Sequence, residues 1–73
     1  MELTDDLEGT LVYSSDNVEV GTVDEVGDNY IIVTTGPRGI PKSVTGVTPG
    51  DESSVGIPEN QIDEIGDGWI YLK

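Results

Sequence analysis

The side chains of this sequence that could take part in chemistry are mostly carboxylates. The chain contains 15 Asp and Glu residues and has neither histidine nor cysteine. Without those two residue types it cannot assemble a Ser-His-Asp triad or a thiol nucleophile, and zinc could be bound only through carboxylates. We therefore expect no catalytic residues, no enzymatic activity and no cofactor.

The carboxylates fall into three short clusters whose oxygens are of the type that hard cations prefer. No cluster has the alternating ligand spacing of an EF-hand, and the last one reaches the end of the chain before the twelfth loop position. The sequence therefore predicts solvated surface with diffuse cation association and no metal site. The clusters are Asp5, Asp6 and Glu8; Asp24, Glu25 and Asp28; and Asp63, Glu64 and Asp67.

The formal net charge is −12, since only 3 residues are basic. Phosphate backbones and anionic membranes associate with proteins mainly through Lys and Arg, so we expect no direct nucleic-acid binding. No apolar run approaches the ~20 residues of a membrane span, and residues 1–9 lack the pattern of a signal peptide. The acids are spread along the whole chain, which is typical of a surface adapted to high salt, as in halophilic archaea.

The elements that position these side chains are predicted to be strands. Alanine is missing and β-branched residues are frequent, which disfavours long helices. Residues 18–35 predict a hairpin with a polar turn at Gly27-Asp28-Asn29, and the two-residue alternation in its first arm requires a bend at Gly21. Residues 10–14 predict a preceding strand, so the three strands should form an antiparallel meander.

Further along the chain, regular structure is interrupted and then resumes. Residues 36–54 are rich in Gly, Pro, Ser and Thr and predict a long, mobile internal loop, with Ile40, Val44 and Val47 as its apolar anchors. The alternative within this stretch is a short strand around residues 43–48. A strand should follow at residues 55–58, then one helical turn at Glu59–Gln61 and a last strand at Trp69–Leu72. We predict an all-β domain spanning residues 1–73, a small and strongly bent antiparallel β-barrel of five or six strands.

Three segments resemble the PRC-barrel family, the small β-barrel domains found in the photosynthetic reaction-centre H subunit and in a ribosome maturation factor. They are G-x-x-V-Y-S-S-D at residues 9–16, V-E-V-G-T-V-D-E-V at residues 18–26, and I-P-E-N-Q-I-D-E-I at residues 57–65, followed by W-I-Y-L. Residues 36–54 depart from the family pattern. The resemblance implies a non-catalytic adaptor domain that contacts another protein.

Two pairs of residues are candidates for protein binding. Trp69 and Tyr71 share one face of the last strand, and they form an exposed aromatic patch if Ile70 and Leu72 point inward. The alternative is that Trp69 covers the open end of the barrel. Partner binding is expected to use this strand and its exposed edge. The second pair is Arg38 and Lys42, which either contact a partner's carboxylate or serve solubility.

The sequence therefore favours a small cytoplasmic module that binds another protein or a second copy of itself. The alternative function is a domain that responds to a cation or a small ligand through its surface carboxylates.

Overall fold

Most of the described chain is β-sheet, as the β-branched composition predicts. The structure is a computed structural model that describes residues 3–36, 44, 46–49 and 53–73. Short 3₁₀ turns occur at Asp5–Leu7 and at Glu59–Gln61, where a helical turn was expected. The strands are β1 (Leu11–Tyr13), β2 (Glu19–Val26), β3 (Tyr30–Thr35), β4 (Thr48–Pro49), β5 (Ser54–Pro58), β6 (Ile62–Ile65) and β7 (Trp69–Leu72). The all-β prediction is confirmed, with six strands and the two-residue β4.

The strands form one curled sheet in the order β4-β5-β3-β2-β1-β7-β6. The predicted β1–β2–β3 meander is present and antiparallel. β1 and β7, however, pair in parallel, so the sheet is mixed and not purely antiparallel. β7 lies between β1 and β6, and the described edges are β4 and β6. The expectation that the last strand offers an exposed edge is therefore wrong, because a distant strand covers it.

The core inside the curl is entirely aliphatic. Leu3, Leu7, Val44 and Val47 pack against it from outside the strands, as the sequence predicted for the two valines. None of the buried side chains is aromatic, so the tryptophan and the three tyrosines lie elsewhere. The buried core residues are Val12, Val20, Val23, Ile31, Val33, Val55, Ile57, Ile62, Ile70 and Leu72.

The predicted bend at Gly21 is confirmed. Val12 pairs with Gly21 while Tyr13 pairs with Glu19, so Val20 is an extra residue in β2 at this point. A Cβ on Gly21 would lie 2.9 Å from the Thr34 carbonyl carbon and closer still to its oxygen. Only glycine permits this approach of β2 to β3, which sets the curvature of the sheet. A second bulge, at Asp24, was not predicted.

Part of the predicted loop lies outside the described residues, including Ile40 and both cations, Arg38 and Lys42. Within the described part of this stretch, Thr48 and Pro49 form β4 and pair with Gly56 and Val55 of β5. The mobility of residues 36–54 stays a prediction.

Two of the hairpins are copies of one pattern. The two segments are residues 23–33, VDEVGDNYIIV, and residues 62–72, IDEIGDGWIYL, and they are identical at five of eleven positions. Of the other six positions, three exchange one aliphatic residue for another and one exchanges tyrosine for tryptophan. Their register also agrees, since each hairpin skips the Asp of its Asp-Glu pair as a bulge. In each, the glycine amide of Gly27 or Gly66 donates to the carbonyl of the following aromatic residue at 2.8 Å. The sheet therefore contains an internal repeat.

Candidate functional site: the aromatic face of strands β1 and β7

The side chains of β7 alternate between the core and the outer surface of the sheet. Ile70 and Leu72 are buried, and Trp69 and Tyr71 are half-buried on the opposite side. Ile70 and Leu72 therefore point inward, which is the condition under which the sequence places the two aromatic residues on the outer surface, and Trp69 is not a core residue. Neither ring is fully exposed, because each packs on its neighbours on the outer surface.

Parallel pairing brings two residues of β1 beside them. Leu11 pairs with Trp69, and Tyr13 pairs with Tyr71. The Tyr13 and Tyr71 rings stack with centroids 5.5 Å apart, and Trp69 meets Tyr71 edge-on at 5.2 Å. Both separations lie in the preferred range for aromatic pairs. We call Leu11, Tyr13, Trp69 and Tyr71 the aromatic face.

Sequence reasoning did not find the β1 half of this face. Leu11 and Tyr13 lie in a short strand near one end of the chain, and nothing local indicates that it pairs with a strand near the other end. The available signal was the stretch L-V-Y, whose alternation matches W-I-Y-L, with one apolar core residue between two outward-facing ones. That match is too short to specify a partner strand.

Two glycines of the β6–β7 hairpin set the position of Trp69. Gly68 has φ +93°, a conformation that other L-residues rarely adopt. Gly66 lies beneath the indole, since a Cβ there would be 2.5 Å from Cη2 of Trp69 and closer to other ring atoms. The ring therefore lies flat on a backbone that has no side chain, which holds it in one orientation.

The β1–β2 turn holds Tyr71. The Tyr71 hydroxyl donates to Oδ1 of Asn17 at 2.8 Å. Asn17 has φ 67°, a left-handed conformation that Asn tolerates better than most residues. The buried Ser14 hydroxyl organises the same turn, because it donates to Asp16 and accepts from the Val18 amide at 3.1 Å. A structured turn thus fixes the hydroxyl end of the ring.

The aromatic face borders a shallow, open groove of about 660 Å³. Its lining consists of the four residues of the aromatic face together with Asn17 and Gly68. Across the sheet, Glu64 of β6 pairs with Tyr71, and Glu19 of β2 pairs with Tyr13. Both glutamates are exposed. The row Glu64–Tyr71–Tyr13–Glu19 therefore places two rings between two carboxylates.

The other predicted candidates are not brought to this site. Arg38 and Lys42 lie outside the described residues. Tyr30, the remaining tyrosine, is 42% exposed and lies on Gly27 in the first copy of the repeat, away from the groove lining. In the part of the chain that the structure describes, no three carboxylates converge as a metal site would require.

The chain matches no protein-family model, and neither a curated protein nor a solved structure is significantly similar to it. The PRC-barrel resemblance therefore stays a prediction. Among the described residues, no helix has the length and apolar character needed to cross a membrane.

Proposed function

We propose that this protein is a non-catalytic binding module of a salt-rich cytoplasm, which acts through contacts between its aromatic face and a partner protein. The observation that carries the proposal is the placement of the aromatic residues. The core is built without any of them, and Tyr13, Trp69 and Tyr71 collect at one place on the outer surface. Tyrosine and tryptophan are the residue types that most often anchor protein interfaces.

The internal repeat supports this proposal. Features shared by both copies are the ones that the hairpin needs to fold, and a feature found in only one copy can serve another purpose. Both copies have the bulged Asp, the glycine and the aromatic residue that lies on it. On the outer surface, the first copy has Ile32 where the second has Tyr71. The hairpin therefore folds without an aromatic residue at this position. The addition of Tyr71, stacked on Tyr13, is better explained by binding than by stability.

The test is capture of partners at high salt by the tagged protein. The variant Trp69→Thr/Tyr71→Thr removes two rings from the aromatic face and keeps the strand, because threonine favours β-structure. We expect this variant to lose at least nine-tenths of a captured partner while its circular dichroism spectrum is unchanged. The sedimentation of the wild type and of the variant is measured in parallel, and it shows whether the partner is a second copy of the chain.

Tyr30→Thr is the matched control, since Tyr30 is the counterpart of Trp69 in the first copy of the repeat. Its capture should equal that of the wild type. Equal capture by all three proteins, with no change in sedimentation, would show that the aromatic face is not the binding surface.

A further inference from the structure

The carboxylates beside the aromatic face indicate the chemistry of its partner. Glu19 and Glu64 lie at the two ends of the row that contains Tyr13 and Tyr71, and both are exposed to solvent. Ring faces carry a negative quadrupole, so the rings and the carboxylates attract the same kind of group. That group is a cation.

The planar guanidinium of arginine fits this arrangement better than the ammonium of lysine. A guanidinium can stack on an aromatic ring and still direct N–H donors past the edge of the ring to a carboxylate. The row offers this pair of contacts twice, once at Tyr13 with Glu19 and once at Tyr71 with Glu64. Lysine would place a compact, strongly hydrated charge that cannot use both partners in this way.

The groove indicates a segment of chain and not a small ligand. Small organic cations are held in enclosed aromatic cages, whereas this groove is open to solvent and about 660 Å³ in volume. A nucleic-acid strand could stack on the rings, but its phosphates would be repelled by the neighbouring carboxylates.

A second copy of the chain is a poor occupant. The whole molecule has only 3 basic residues against 15 acidic ones. Among the described residues, Lys73 is the single basic residue, and it lies two residues after Tyr71 in the chain. Two copies joined through this face would bring Glu19 and Glu64 close to their own counterparts, and such like-charge contacts oppose binding.

We propose that the aromatic face binds an arginine-bearing segment of a partner protein, with guanidinium groups stacked on Tyr13 and Tyr71 and paired with Glu19 and Glu64. This inference rests on the proposed function, and it assigns the chemical class of the partner.

The test uses the folded protein and a capped pentapeptide, acetyl-Gly-Arg-Gly-Arg-Gly-amide. Trp69 is the only tryptophan of the chain, so its fluorescence reports binding directly. We expect saturable binding that weakens as salt increases. A citrulline peptide, which keeps the planar shape without the charge, should bind at least tenfold more weakly, and a lysine peptide at least threefold more weakly.

The internal repeat supplies matched protein variants. Glu64→Gln and Glu25→Gln remove the same charge from equivalent positions of the two hairpins, but only Glu64 lies beside Tyr71. Likewise, Tyr13→Leu changes the aromatic face and Tyr30→Leu does not. We expect Glu64→Gln and Tyr13→Leu to weaken arginine-peptide binding at least threefold and the two control variants to leave it unchanged. Amide chemical shifts verify that each variant is folded.

Several results would overturn the inference. Equal weakening by Glu64→Gln and Glu25→Gln would show diffuse attraction to the net charge, and equal binding of the citrulline peptide would show that charge is not recognised. If no peptide binds but partner capture still depends on Trp69 and Tyr71, the arginine assignment is wrong and the proposed function stands. If capture does not depend on these residues, the proposed function is wrong as well.

Discussion

At the scale of single residues, glycines decide where the aromatic rings lie. Gly27 and Gly66 occupy equivalent positions in the repeat, and each has an aromatic ring over its Cα. A Cβ on Gly27 would be 2.8 Å or less from the Tyr30 ring, just as one on Gly66 would overlap the indole. Glycine is therefore needed at these two positions because an aromatic ring occupies the space of a Cβ. At Gly68 it is needed because the backbone has a positive φ.

We predict that Gly66→Ala displaces Trp69 without unfolding the protein. The new methyl group occupies the space of the indole, and the ring can respond by rotating into solvent. The emission of Trp69 should shift to longer wavelength, and the free energy of unfolding should fall by about 1 kcal/mol.

Gly36→Ala is the control for this substitution, because a Cβ on Gly36 has no atom within 4 Å and the residue does not need a positive φ. Its emission and stability should match the wild type. An unchanged emission maximum in Gly66→Ala would contradict the described position of the ring.

At the scale of elements, the curvature of β2 depends on one close approach between strands. At Gly21 the obstacle to a Cβ is the backbone of Thr34 and Thr35, which cannot rotate away as a side chain can. The bend at this residue also coincides with the extra residue Val20, so a change here disturbs the pairing of β2 with both β1 and β3.

We predict that Gly21→Ala destabilises the protein far more than Gly66→Ala. Because the strands must separate to admit the methyl group, the loss should be at least about 3 kcal/mol, which a domain of this size barely tolerates. Urea unfolding followed by circular dichroism measures the loss. A midpoint within error of the Gly66→Ala value would mean that the strands are not this close.

The sequence predicted most elements that depend on neighbouring residues, although not the bulge at Asp24, and missed the strand pairing that depends on distant ones. The hairpin of residues 18–35, the bend at Gly21 and the turn at Glu59–Gln61 all follow from local residue types, and all are present. The parallel pairing of β1 with β7 joins residues near opposite ends of the chain, so no local pattern specifies it. For the same reason, the sequence predicted only part of the candidate site. Alternation within β7 identified Trp69 and Tyr71. The positions of Leu11, Tyr13 and Asn17 beside them follow only from the pairing of β1 with β7.

The pattern of the repeat is present in the sequence, but a repeat was not predicted from it. Its two copies share V/I-D-E-V/I-G-D before the aromatic residue, and the structure shows that this pattern encodes a bulge followed by a tight turn. The sequence predicts solvated surface for all three acidic clusters, and two of the clusters lie in the repeated hairpins.

At the scale of the whole molecule, the excess of acidic residues produces electrostatic repulsion that opposes folding. A net charge of −12 is carried by a body with principal extents of 27 × 24 × 20 Å. At 0.01 M salt the Debye length is about 30 Å, which exceeds all three dimensions, so every carboxylate repels every other. At 1 M it is about 3 Å, and only immediate neighbours interact.

We predict that the melting temperature rises with salt between 0.01 M and 1 M, because screening removes repulsion that is stronger in the folded than in the unfolded chain. Scans in sodium chloride and potassium chloride should agree at equal ionic strength. A melting temperature that stayed constant or fell would exclude adaptation to high salt.

The pairing of β1 with β7 also determines when the molecule can be completed during synthesis. The first three strands precede β7 in the chain and pair without it, but one side of β1 has no partner until residues 69–72 have been made. At about 5–20 residues per second this interval lasts several seconds. During that time the backbone of Leu11–Tyr13 can pair with a strand of a neighbouring nascent chain. This risk of aggregation ends when Trp69–Leu72 pairs with β1.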